Sequence, residues 1–189
     1  MSDLDAFNTI CPTINISQHP DEIIWFMSRV RGHVPTVNVL VEMGCWTGGN
    51  ISLLSKVVSN DGLVVGVNPV VDHHEDWIRV DLVSNMITPV QFMHLPYRSD
   101  DPECFNALLG LLNGRRIDVL FMDHTDLYEE ARYDYDTYSE LMSPSGVMGW
   151  HDVQSYPEGP GRVYDEASQE YRGDSIRITS GIGVIYRGE

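Results

Sequence analysis

The sequence predicts an α/β protein, a three-layer sandwich around a mostly parallel, seven-stranded sheet that closes with an antiparallel C-terminal strand. Three observations carry this. Short apolar, β-branched runs alternate with helix-period segments from about residue 20 onward. A Gly-rich turn joins the first such run to a helix, and the last two runs are separated by a tight turn only. The chain has 189 residues and 42% hydrophobic content, enough for one sizeable core and too little for two. A single domain over residues 1–189 is expected, with 1–19 as an N-terminal extension.

Pro20-Asp21-Glu22 opens a helix whose buried face is Ile23, Ile24, Met27 and Val30, and Gly32 is expected to stop it. Val37 to Val41 is apolar except at Asn38, as suits a central parallel strand, and Glu42 ends it. After the Gly-rich turn, Ile51, Leu54, Val57 and Val58 recur at helical spacing up to Asp61-Gly62, and Leu63 to Val67 forms the second strand. Residues 68–90 are polar and carry no assignment, and Val90 to Met93 is read as the third strand.

Ser99-Asp100-Asp101-Pro102-Glu103 combines capping residues with proline in a first turn. Phe105, Leu108, Leu109 and Leu112 supply the stripe of the helix that follows, before Gly114. Ile117 to Met122 is a fourth strand. Tyr128, Ala131, Tyr135, Tyr138 and Leu141 form the next helical stripe, and Pro144-Ser145-Gly146 reads as a turn into a fifth strand, Val147 to Trp150. Residues 160–172 read as helical. Ser175 to Thr179 and Gly183 to Arg187 read as a closing antiparallel pair.

Charge narrows the partners. Acidic residues outnumber basic ones 28 to 12, for a net charge of −16, and such a surface repels phosphate backbones and anionic lipid. Nucleic acid and membranes are therefore not expected partners, although the same excess also serves solubility, for example in high salt. Cys11, Cys45 and Cys104 are odd in number and scattered, which suggests neither a disulfide framework nor a thiolate zinc site. A reducing, cytoplasmic setting fits. The acidic N-terminus is unlike a secretory signal, and no apolar run approaches the roughly 20 residues of a membrane span.

In an open parallel sheet, ligands bind beyond the carboxyl ends of the strands, where strand order reverses. Three such places are rich in polar groups: Glu42 to Asn50, Asp123 to Asp126, and His151-Asp152. The first is an E-x-G-x-x-x-G turn. Its glycines allow close backbone approach, and the helix behind it offers N–H groups to an anion. It lacks the G-x-G-x-x-G spacing of a dinucleotide site, and its acid suits a ligand carrying an ammonium and a sulfonium as well as a carboxylate. Asp123-His124 and His151-Asp152 are expected to project into the same crevice. Such groups either bind a divalent metal or form a general base oriented by a carboxylate. The alternative is that they cap the next helices or meet water.

Glu42-Met43-Gly44 with Gly48-Gly49, Ser99 to Glu103, Phe121-Met122-Asp123, Ser143 to Val147 and His151-Asp152-Val153 together resemble the class I S-adenosylmethionine-dependent methyltransferases, with their Rossmann-like fold. Within that class the pattern is similar to the branch holding cephalosporin-hydroxylase-like and small-molecule O-methyltransferases. Gln18-His19-Pro20-Asp21-Glu22 resembles a segment that precedes the first strand there, and Leu120 to His124 resembles a stretch of catechol O-methyltransferase.

The resemblance implies a cofactor set of Glu42, Gly44, Trp46, Gly48, Asn68, Ser99 and Asp123 around S-adenosylmethionine. Glu42, Gly44 and Gly48 would hold the methionine moiety, and Ser99 would lie near the adenine. It implies Asp123, His151 and Asp152 as ligands of Mg2+ or another divalent cation in metal-dependent members, and Asp123, His124 and His151 as the catalytic set, with His124 or His151 taking the proton. The expected partner is a small-molecule acceptor bearing a hydroxyl. Its pocket is expected from the N-terminal segment, residues 68–90 and the loop 154–160, or completed by a second subunit in a homo-oligomer. Trp46, Trp77, Tyr97, Trp150 and Tyr156 are candidate lining aromatics.

Two departures stand out. The position that usually carries an acid for the ribose hydroxyls is Asn68, and Asp123-His124-Thr125-Asp126 replaces the usual Asp-Gly-Asp-His. A methyltransferase-like domain that binds or assembles without turnover is the alternative reading, and an oxidoreductase is disfavoured by the missing glycine spacing.

Overall fold

The structure, a computed structural model, describes residues 1–12, 14–69 and 88–188. Its seven strands are β1 (Val37–Met43), β2 (Val58–Val67), β3 (Gln91–Leu95), β4 (Ile117–Met122), β5 (Met142–His151), β6 (Arg172–Ile176) and β7 (Ile182–Tyr186). They lie in the order β3-β2-β1-β4-β5-β7-β6. Neighbours from β3 to β5 pair in parallel, whereas β7 runs antiparallel to both β5 and β6. This is the Rossmann-like, mostly parallel sheet that the sequence predicts. Strand order reverses between β1 and β4, and there the chain leaves Met43 and Met122, which are directly paired, in opposite directions.

Alternation along each strand divides the core into two apolar layers. Leu40, Val64, Val119, Phe121 and Val184 face α1 (Asp3–Ile10), α2 (Pro20–His33) and α3 (Gly49–Leu54). Val41, Val65, Leu120, Met148 and Ile185 face α4 (Pro102–Leu112), α5 (Tyr128–Tyr138) and α6 (Pro160–Ala167). The N-terminal stretch is built into the first layer. Ser2 and Asp5 form a reciprocal capping box on α1, and Phe7, Ile10, Ile14 and Ile16 are buried.

Several boundaries differ from the sequence expectation. Helix α2 passes Gly32 and ends at His33, because Pro35 holds Val34 extended. Strand β1 continues through Glu42 to Met43, both of them laddered to β2 and β4. Helix α3 stops at Leu54, since Val58 is already paired with Val37 as the start of β2. Strand β5 begins at Met142 and runs through Pro144-Ser145-Gly146, where the register with β4 shifts and no turn forms. Strand β3 ends at Leu95, α6 at Ala167, and β6 begins at Arg172. Among the described residues no helix is long and apolar enough to cross a membrane.

Candidate active site

The turn after β1 passes very close to the end of β4. Gly44 has φ +88°, and a Cβ there would lie 2.3 Å from the Asp123 carbonyl oxygen, so only glycine lets the two strand ends meet. Trp46 follows with φ +39° and stands 54% exposed, and Gly48, with φ +87°, opens α3. Helix α3 is six residues long, and its first residue packs against the Asn15 carbonyl of the N-terminal segment.

A cleft of about 280 Å³ opens beyond these strand ends. Of the cofactor set expected from the sequence, Gly44, Trp46, Asn68, Ser99 and Asp123 line it, together with His124 and Tyr97. Glu42 and Gly48 do not reach its wall. Glu42 is fully buried below it and accepts a 2.5 Å hydrogen bond from Asn50 Nδ2. Burial drives its carboxyl well above the usual range, with Asp123 adding to the effect and Asn50 opposing it. Asn68 Oδ1 accepts from the Trp46 N–H at 3.1 Å while its Nδ2 donates to the Pro69 carbonyl at 3.1 Å, so this amide ties the two cleft-lining loops together.

His124 and Ser99 form the floor. The Ser99 hydroxyl lies 3.1 Å from His124 Nε2, and the same nitrogen lies 3.1 Å from Asp134 Oδ2 on α5. Tyr138 donates a 2.5 Å bond to the Ser99 carbonyl. Burial lowers His124 to about 4 and raises Asp134 to about 7, so His124 is neutral at neutral pH.

Behind Asp123, on the α1–α3 side, lies the second expected cluster. His151 Nδ1 is 2.8 Å from Asp123 Oδ1 and 3.3 Å from Asp152 Oδ2. Ligand atoms of these three residues all fall within 4.8 Å of one another. Burial alone would lower His151, but the two carboxylates outweigh it and raise the imidazole to about 10. Burial likewise raises Asp123, whereas for Asp152 it is overcome by His151 and by the hydroxyls of Ser180 and Ser155, and that carboxyl is lowered. The turn at Glu42, Asp123 and Asp152 therefore converge, on two sides of one strand edge.

Of the candidate aromatics, Trp46 and Tyr97 line the cleft. Trp150 is core, between Tyr135 and Tyr164. Tyr156 lines a second groove of about 490 Å³ between residues 126–129 and 155–159. Trp77 lies outside the described residues, as does most of the segment 68–90. Sequence reasoning missed Asp134 as the partner of His124. Gln18, in the segment that precedes the first strand, carries no role in the sequence expectation, yet its Nε2 donates to Asp123 Oδ2.

The family described as "Methyltransferase domain" matches residues 41–153, more than half of the chain and the stretch that builds this cleft. The chain belongs to that methyltransferase-domain family. No curated protein matches the sequence. Solved structures share the methyltransferase fold at low identity. Cofactor-bound Rv0187 from MTB is 14% identical, with a TM-score of 0.67, covering 99% of this chain and 88% of the other. The O-methyltransferase from Bacillus cereus in complex with SAH is 16% identical, with a TM-score of 0.63 and coverages of 98% and 90%. The O-methyltransferase TomG from Streptomyces achromogenes, involved in tomaymycin synthesis and in complex with SAM, is 13% identical, with a TM-score of 0.66 and coverages of 100% and 91%.

Proposed function

We propose that this chain, as one domain, transfers the methyl group of S-adenosylmethionine to a hydroxyl of a small-molecule acceptor, with a divalent cation at Asp123, His151 and Asp152. The observation that carries the reading is the convergence of the Gly44 turn with Asp123 on a cleft walled by Trp46, Asn68, Ser99 and His124. The fold and family fit it, and relatives of that fold hold SAH or SAM. Two carboxylates and an imidazole, at the spacing given above, suit a divalent ion of the Mn2+ type, whose binding requires His151 to release the proton that the two carboxylates stabilise on it. Such an ion, when bound, stabilises negative charge on the acceptor oxygen as its proton leaves.

The chain's own residues divide the remaining work. Gly44 leaves the backbone open to the methionine end of the donor, and Asn68 and Ser99 offer hydrogen bonds to its ribose and adenine. His124 faces the cleft and is the imidazole placed to take the acceptor's proton, a task for which burial makes it a weak base, while His151 is buried behind Asp123 and serves the cation. Catalysis is then chiefly positioning plus charge stabilisation. The net charge of −16 favours a small, non-anionic acceptor over nucleic acid.

Calorimetric titration with S-adenosylmethionine in the presence of Mg2+ tests this. A dissociation constant in the range of roughly 1 µM to 1 mM is expected; no heat at near-millimolar donor defeats the proposal. A second reading is favoured by Asn68, whose amide is already engaged with Trp46 and Pro69. On that reading the domain binds the donor without turning it over, and the outcome would be binding with no methyl transfer to any hydroxylated acceptor in a panel.

A further inference from the structure

One short segment leading into α2 touches the carboxylate that follows β4 and the loop that holds the carboxylate that follows β5. At its first residue, Gln18 is 2% exposed, and its Nε2 donates to Asp123 across 105 residues of sequence. Its Oε1 is buried with no hydrogen-bond partner among the described residues. At its last residue, Glu22 is fully buried and gathers the loop between β6 and β7. The N–H groups of Ile178, Thr179 and Gly181 donate to its Oε1 at 2.9, 2.7 and 3.0 Å, and the Thr179 hydroxyl donates to Oε2 at 2.9 Å. That loop in turn holds the end of β5. The Ser180 carbonyl accepts from the N–H groups of Gln154 and Ser155, at 2.8 and 3.2 Å, and the Ser180 hydroxyl bonds to the Asp152 carboxylate.

Asp152 has φ +63°, a left-handed backbone that aspartate enters at small cost, so its carboxylate needs a hold from elsewhere to be fixed in direction. The loop gripped by Glu22 supplies that hold through Ser180.

We propose that the segment Gln18–Glu22 is a clamp that presets the cation ligands, with Gln18 orienting Asp123 directly and Glu22 orienting Asp152 through Ser180. Gln18, Glu22 and Ser180 are positioning residues, and the inference rests on the cation reading above. Residues that orient first ligands in this way typically control metal affinity by about 10- to 100-fold.

Mn2+ titrated into the full chain and followed by electron paramagnetic resonance reads this without any acceptor substrate. Gln18→Leu removes the amide at near-constant volume, and Ser180→Ala removes the second arm at a half-buried position. Each is expected to weaken Mn2+ binding at least about tenfold, while the thermal midpoint and the affinity for S-adenosylhomocysteine stay at wild-type values. Wild-type Mn2+ affinity in both variants overturns the clamp and leaves the cation reading standing. A wild-type chain that binds no Mn2+ overturns both. Joint loss of S-adenosylhomocysteine binding and thermal stability in Gln18→Leu, with Ser180→Ala at wild-type Mn2+ affinity, makes Gln18 a packing residue and also overturns the clamp.

Discussion

Asp134→Asn tests the electrostatics under the cleft. Asp134 is wholly buried, 3.1 Å from His124, and burial raises its carboxyl from 3.8 to about 7. Because the folded state holds this proton more tightly than the unfolded chain, its contribution to stability is complete below pH 3.8 and is lost as pH rises toward 7. Each pH unit well inside that window is worth about 1.4 kcal/mol, so about 4 kcal/mol is at stake in all, about 2 of it between pH 5 and 7 and about 3 between pH 5 and 8. His124 acts in the opposite sense. Lowered from 6.5 to about 4, it contributes stability that is present above pH 6.5 and lost as pH falls toward 4. In the wild type the two slopes largely cancel between pH 4 and 6.5. The asparagine keeps the shape and removes only the carboxyl's titration. Urea unfolding at pH 5 and pH 8 is expected to show the variant gaining about 3 kcal/mol on the wild type as pH rises. A stability difference that is the same at both pH values refutes the buried-acid argument.

Two further substitutions address the rim. Asn68→Asp loses the bond to the Pro69 carbonyl but still accepts from the Trp46 N–H, and it offers a carboxylate to a ribose diol. Calorimetry is expected to show S-adenosylhomocysteine binding about tenfold tighter, the difference between a neutral and a charge-assisted hydrogen bond, and unchanged affinity would mean that residue 68 does not meet the ribose. Trp46→Gly relieves roughly 1–2 kcal/mol of left-handed strain at a cost of about 0.5–1 kcal/mol in chain entropy. Urea midpoints near wild type with weakened S-adenosylhomocysteine binding are expected, whereas a loss of stability above about 2 kcal/mol would make Trp46 a packing residue.

The sheet was legible where the local pattern and the tertiary context agree. Ile117–Met122 is a strand by both, and Asp101-Pro102 caps α4 as its composition demands, with the Asp101 side chain accepting from the Glu103 N–H. Pro144-Ser145-Gly146 misleads because turn chemistry sits inside a strand whose ladder tolerates a register shift. The strand-end pairs Asp123-His124 and His151-Asp152 could be placed because a parallel sheet sends successive strand ends to one edge. Their partners could not. Gln18 meets Asp123 at a separation of 105 residues and Glu22 meets Thr179 at 157, and no periodicity encodes such a contact. Asp134 was hidden within a helix whose tyrosine stripe accounted for its burial.

Backbone strain separates the parts of the chain shaped for stability from the parts shaped for a ligand. Four non-glycine residues among those described have positive φ: Trp46, Asp61, Asn113 and Asp152. Asn113 ends α4, and Asp61 kinks β2 beside Gly62, both being residue types that enter the left-handed region at small cost. Trp46 has no such excuse. It is bulky, more than half exposed and gains little from packing, yet the Asn68 amide holds its backbone in place. Asp152 is turned back toward His151 and secured by Ser155 and Ser180. Of the four, Trp46 alone is strained by its residue type, since Asp152, like Asp61, enters the left-handed region at small cost. A chain shaped for stability alone would put glycine at Trp46. Keeping an aromatic face there, on the wall of the cleft, at a cost the rest of the fold offsets, is what a rim built to meet a ligand requires.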